Sequence, residues 1–433
     1  MWPLRPCHRL RDVLIGVRSL SISSQHNVPH RTWLMDLKLE EPPSAKNEPR
    51  HIEFRSVTDK FRSTCFLQQR EYADNMFNRK KHKAVPPPSP PSADLTSLSS
   101  QELINLATDL TSDSGLNKNR ANIKVWKQLE KELCNRVNIL TTPQILYLAD
   151  CAYESNYLAS TFLCRFAFKL QSTEIKNEVK HTELLQLLFY FSIVRFTPQN
   201  FLLTCEDAIL RHIDLYSASE LSILCYSYFV CNASFTSFSI LEKLGARTLE
   251  LLEEMSIFQL SNILKTMRHA AYKNNEFYEK VGNHLCNQSF YDLKSISILM
   301  HLVYPYASVK MSHNRLFDHI TQHICDNLNN LQYRNKDLLK VLWSCAILQH
   351  PVPEDLVSAA MASMRGGQSE QWYRKHREVF VEGLMTLGFL GHYPMDLLSK
   401  ALANNTGKSS KLIELCHFTV VFLVDSAKPQ NNN

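Results

Sequence analysis

Glycine is scarce in this sequence: 10 residues in 433, about 2% against a usual ~7%. Sheet folds that cradle nucleotides need glycine where backbone meets phosphate, and all-β folds need it in turns. The shortage points to helices joined by short polar turns. No apolar run approaches the ~18 residues of a membrane span. The longest, Leu184 to Val194, contains Gln186 and ends at Arg195, which predicts a buried helix. Twelve cysteines lie singly from Cys7 to Cys416 with no CxxC pair, whereas a disulfide-stapled domain concentrates them. We expect reduced thiols packed as small apolar groups.

Signs of catalysis are also missing. No Gly-rich phosphate loop, His-Arg-Asp or Asp-Phe-Gly occurs, so the parts that position ATP and metal in a kinase are absent. No Ser-His-Asp or Cys-His arrangement is readable, and the adjacent Glu253 and Glu254 point to different sides of a helix. His319 and His323 stand four apart with Cys325 close, but a tetrahedral zinc site needs more ligands and no HExxH or cysteine partner is present. The expectation is a protein that is not an enzyme, with no cofactor, no metal and no small-molecule substrate. With 44% hydrophobic and 21% charged residues, the chain as a whole is not a disordered one.

What is present begins with charge. Residues 1–83 hold 16 Lys+Arg against 9 acids, and the remainder holds 32 against 33, so the body is near neutral. Net charge therefore lends the body no support for binding a polyanion, and local patches must carry any such claim. The first 35 residues contain Arg5, Arg9, Arg11, Arg18 and Arg31 and one acid, Asp12. Leu10, Val13, Leu14 and Val17 share a helical face, and Ser19 to Ser24 is Ser-rich. This composition predicts a mitochondrial transit peptide over 1–35 and a matrix location. Residues 36–97 are expected to be a disordered linker. Within it, Arg79 to Lys83 is a basic run, and Pro86 to Pro91 places five prolines in six residues as a stiff extended spacer.

From residue 98 a pattern recurs: a Leu/Ile pair three apart, after a Ser, Thr or Asn-type cap. The pairs are Leu103/Leu106, Ile145/Leu148, Leu184/Leu187, Leu221/Leu224, Leu260/Ile263, Ile296/Leu299 and Leu338/Val341, at steps of 42, 39, 37, 39, 36 and 42 residues. A weaker copy near Phe380 adds another 42. Each unit reads as two helices. Ser217 and Glu220 form a capping box ahead of the stripe Leu221, Leu224, Cys225 and Tyr228, and Phe238, Leu241, Leu244 and Leu249 carry a second helix. Asp292 to Val303 with Leu316 to Leu328 repeats the scheme. One pair cannot bury its apolar face alone, so neighbours must stack. The predicted class is all-α, an α-solenoid of helix-pair repeats of about 36–42 residues behind a disordered N-terminal segment. The array is expected over 98–364, with C-terminal helical modules and a tail over 365–433.

Three features together resemble the FAST kinase domain-containing family of mitochondrial proteins: the Arg-rich leader, the Leu-rich helix-pair array, and a late block. That block runs Asp337-Leu-Leu-Lys-Val-Leu-Trp-Ser-Cys-Ala-Ile-Leu348, then Pro353-Glu-Asp-Leu356 and Phe380 to Leu398. The resemblance covers residues 98–400. It implies binding of mitochondrial transcripts and control of their processing, stability or translation. Family members usually end in a RAP domain. Here only Phe418 to Val424 suggests a strand, so we expect that module to be absent or truncated.

Phosphate contact needs Lys/Arg on a surface, best beside aromatics that stack on bases. Three clusters qualify: Lys265, Arg268 and Lys273; Arg334, Lys336 and Lys340; and Trp372, Tyr373, Arg374, Lys375 and Arg377. The plainer explanation for each is a solvated helix end. Tyr147, Tyr226 and Phe229 are expected in the core. The expected partner is RNA, namely mitochondrial transcripts. Proteins of the mitochondrial ribosome or RNA granules are the alternative class, which would make the solenoid a scaffold.

Overall fold

A helix start lacks partners for its first amides, and in four repeats of this chain a side chain supplies one at the same place. The computed structural model describes residues 95–403 apart from 113–119, 156, 158, 173–178, 195–198, 292, 294, 332–333 and 367–376. The expected leader, all but the last three residues of the expected linker, and the tail after 403 lie outside them. Among the described residues there are sixteen α-helices and no strand.

The helices form eight consecutive pairs. These are α1 Ser100–Ser112 with α2 Arg120–Arg136, α3 Thr142–Glu154 with α4 Ser160–Ser172, and α5 His181–Val194 with α6 Gln199–His212. Next come α7 Ala218–Val230 with α8 Phe238–Glu250, α9 Ile257–His269 with α10 Asn275–Cys286, and α11 Ile296–Val309 with α12 Asn314–Asn327. The last two are α13 Asn335–Leu348 with α14 Glu354–Arg365, and α15 Arg377–Phe389 with α16 Met395–Ala403. First helices pack on first helices in one unbroken line from α1 to α15, and second helices do the same from α2 to α14. This is the expected α-solenoid. The stack continues past residue 365, because α15 lies on α13 as α13 lies on α11.

Local chemistry explains the starts. The capping box at Ser217 and Glu220 is present, with Ser217 N donating to Glu220 at 2.9 Å and Glu220 N to Ser217 Oγ at 3.4 Å. The same reciprocal pair opens α1 at Ser99/Glu102, α3 at Thr141/Gln144 and α9 at Ser256/Gln259. The ends are just as regular. Asn232, Ala271, Lys310 and Gln349 all have φ between 52° and 60°, and Gly391 has φ 87°. The amide after each one reaches back five residues: Ala233 to Tyr228 O, Tyr272 to Met267 O, Met311 to Tyr306 O, His350 to Cys345 O and His392 to Leu387 O. These are left-handed helix ends, a position that usually selects glycine. Here four of the five carry a side chain, which is how a Gly-poor chain still turns.

The predicted Leu/Ile pairs form the core. All are buried except Leu106, which is half-buried. A fully buried Leu or Ile contributes about 1.5–3 kcal/mol. Two expectations change. Phe238 is 65% exposed at the first turn of α8, and Ile240, Leu241 and Leu244 carry that helix's buried stripe instead. The helix predicted from Asp292 to Val303 starts at Ile296 and runs to Val309, straight through Pro305. Tyr147 is buried as expected, whereas Tyr226 and Phe229 are only half-buried.

Polar contacts bind each repeat to the next at a separation near one period. Between α7 and α9, Gln259 reaches Ser219 at 2.9 Å, Asn262 reaches Ser222 at 3.2 Å and Thr266 reaches Cys225 O at 2.7 Å. Tyr190 donates to Asp150 at 2.7 Å in the same way. On the second-helix side, Glu206 of α6 accepts from the amides of Thr236 and Ser237 at 2.8 and 3.1 Å, so an acid of one repeat caps the next repeat's second helix. Glu130 of α2 does so for α4, accepting from Thr161 N and Phe162 N at 2.9 and 3.2 Å. Five of the nine described cysteines are buried, and burial pushes the thiols of Cys134 and Cys345 up to about 11 and about 12.

Candidate nucleic-acid interface

First helices pack on both flanks and on their own second helix, so each leaves only a narrow strip of surface. From α7 to α13 that strip includes Tyr226 and Phe229, then Lys265, Arg268 and His269, then His301 and Tyr304, then Lys336, Lys340 and Trp343. Helices α9 and α11 contain no Asp or Glu. The single acid of α13, Asp337, is 2% exposed and bound by Arg334 through two contacts of 2.9 and 3.1 Å. The strip across α9, α11 and α13 thus presents cations and aromatics without an exposed carboxylate among the described residues. Glu382 of α15 stands at its far end, close enough to act on Lys340.

Tyr304 is the centre. The Arg268 guanidinium sits 4.7 Å from its ring centroid and Lys340 Nζ 5.0 Å from it. An aromatic face attracts a cation at this range, so the ring holds two positive groups from different repeats together. Trp343 meets the same ring edge-on at 5.3 Å. One repeat earlier, Phe229 lies between His269 and His301, at 6.3 Å from each. Burial, with Arg268 and Lys336 nearby, holds the Lys340 ammonium below its ordinary value, against the pull of Glu382 and Asp337. Arg268 Nε is buried and meets no hydrogen-bond acceptor among the described residues. Lys265 donates to Asn262 on its own helix at 3.0 Å.

Two of the three predicted clusters therefore meet at one place. Lys265 and Arg268 come from α9, Lys336 and Lys340 from α13, and α11 stands between them. Arg334 does not join, because it is spent on Asp337 at the start of α13. Lys273 is exposed on the turn between α9 and α10, off the strip. Trp372, Tyr373, Arg374 and Lys375 lie outside the described residues, and Arg377 opens α15. Position within the repeat is the signal that finds Tyr304, His301 and Trp343, which residue type alone passes over.

Cations elsewhere hold the backbone. Arg136 caps carbonyls of Thr96 and Leu98, Lys169 takes those of Val137, Asn138 and Leu140, and Arg247 that of Tyr216. The rings of His319 and His323 pack about Phe290, at 4.6 and 5.8 Å. Among the described residues no three His, Cys, Asp or Glu side chains gather as a metal site, and no helix is long and apolar enough to cross a membrane.

No protein-family model matches the chain. Curated proteins do. FAST kinase domain-containing protein 5, mitochondrial, of Mus musculus is 22% identical over 279 residues, 63% of this chain and 35% of that protein. Its counterparts in Homo sapiens and Pongo abelii are 22% identical over 276 and 278 residues, with the same coverage. The chain is a distant relative of the FAST kinase domain-containing proteins. It spans about a third of the length of the curated FAST kinase relatives it matches. The match, over 279 residues, is longer than the late block that first suggested the family.

Proposed function

We propose that this protein binds RNA in mitochondria through the strip on α9, α11 and α13, and acts on transcripts after transcription, in their processing, stability or translation. The observation that carries this reading is Tyr304 holding Arg268 and Lys340 on a strip whose own three helices expose no acid, in a body whose net charge is near zero. Phosphate contact needs such cations, and base contact needs such rings. The distant FAST kinase relationship, with relatives named mitochondrial, supports the compartment. No catalytic step is assigned; the bound protein works by occupying or presenting the RNA.

The test is RNA affinity across a salt series. The double variant Arg268→Glu with Lys340→Glu should lower affinity at least tenfold and flatten the dependence on salt by about one to two counterions. Unchanged affinity and slope would remove the strip from RNA binding. The second reading, a protein scaffold for ribosome or complex assembly, draws on the near-neutral body. Ultraviolet cross-linking in cells separates the two by recovering RNA or a defined protein.

A further inference from the structure

We propose that the bound RNA is single-stranded at this strip, and that it lies along the first-helix layer with one unpaired base set against each of four repeats, at Tyr226, Lys265, Tyr304 and Trp343. The inference rests on the RNA-binding reading and adds the form of the ligand and its register.

Four consecutive first helices begin from caps at Ser217, Ser256, Ser295 and Arg334, each 39 residues after the last. The ninth residue beyond each cap is Tyr226, Lys265, Tyr304 and Trp343 in turn. All four are half-buried, and in each helix the residues on either side of them are buried. They form one column of equivalent positions, and three of the four are aromatic. The axes of neighbouring packed helices stand about 8–10 Å apart, and the rings of Tyr304 and Trp343 lean toward each other to 5.3 Å. An unpaired strand can splay its bases to such a spacing, while a duplex keeps its base faces stacked inside and offers only phosphates, 2′-hydroxyls and groove edges. The flanking cations fit the same placement. Arg268 and Lys340 lie on the ring of Tyr304 and stand ready to transfer to phosphates on either side of a base. The column also has an end. In α5 the position nine beyond the start at Lys180 is Phe189, fully buried, and in α3 it is Asp150, held by Tyr190. The column therefore begins at α7.

The experiment compares the full chain on labelled oligouridylate of increasing length and on a blunt RNA duplex, with Trp343→Ala, Trp343→Phe, Tyr226→Ala and the Arg268/Lys340 charge reversal. Thermal melts accompany each variant. The expected result is tighter binding of single strand than duplex by tenfold or more. Trp343→Ala and Tyr226→Ala should each weaken single-strand binding about tenfold and leave duplex binding alone, and Trp343→Phe should restore most of the loss. If the charge reversal abolishes binding but the aromatic variants do not, or if duplex binds as well as single strand, the inference falls while RNA binding stands. If the charge reversal also changes nothing, the RNA-binding reading falls first.

Discussion

Gly282 shows how little room the second-helix layer leaves. A methyl group built there would stand 2.3 Å from the ring of His313 in the next repeat's turn. His313 cannot easily move aside, because its Nδ1 accepts the amide of Leu316 at 3.2 Å and so caps α12. Gly282→Ala should destabilise the fold by about 1–3 kcal/mol, seen as a lower midpoint in urea; an unchanged midpoint would show the turn to be adaptable. Gln349 is the opposite case. It holds φ 55°, where a side chain costs about 1–2 kcal/mol, part of it offset by the extra freedom of glycine when unfolded. Gln349→Gly should raise the thermal midpoint, with a gain of about 0.5–1 kcal/mol. Neither residue stands out in the sequence. A Gly in a helix and a Gln after one look ordinary until the left-handed turn and the facing ring are known.

Among elements, the first helices were the most legible. Leu221, Leu224, Cys225 and Tyr228 follow a capping box at helical spacing, and all four are fully buried. The second helices were less so, because Phe238 fits an apolar stripe by spacing yet lies on the open side of α8. The capping of α8 by Glu206 was not legible either, since donor and acceptor stand 30 and 31 residues apart. Partly buried histidines add a titration that the sequence does not disclose. Burial holds His350, His319, His323, His269 and His212 below the ordinary 6.5. The unfolded chain then binds protons that the folded one refuses. Stability from these groups is complete above about pH 6.5 and is lost as the pH falls below it. The thermal midpoint should drop between pH 7.5 and 5.5, and His350→Gln should reduce that drop. A flat profile would mean that these imidazoles remain solvated in the fold.

At the scale of the molecule, the repeat was legible because burial demands it. A two-helix unit with apolar residues on several faces is stable only between neighbours. The interface was half legible. Lys265, Arg268, Lys336 and Lys340 could be picked out as cations near helix ends, but their meeting about Tyr304 depends on the register of three stacked repeats. Charge reversal at Arg334 should for the same reason act on stability more than on RNA affinity, because its partner is the buried Asp337.

The constant 39-residue interval between Ser217, Ser256, Ser295 and Arg334 makes the array modular in a literal sense. Excision of residues 256–294 would join equivalent seams and leave one module fewer, with every later contact kept in phase. Such a shortened protein should still melt cooperatively and should protect one nucleotide less from ribonuclease, as a ruler does when one division is cut out of it.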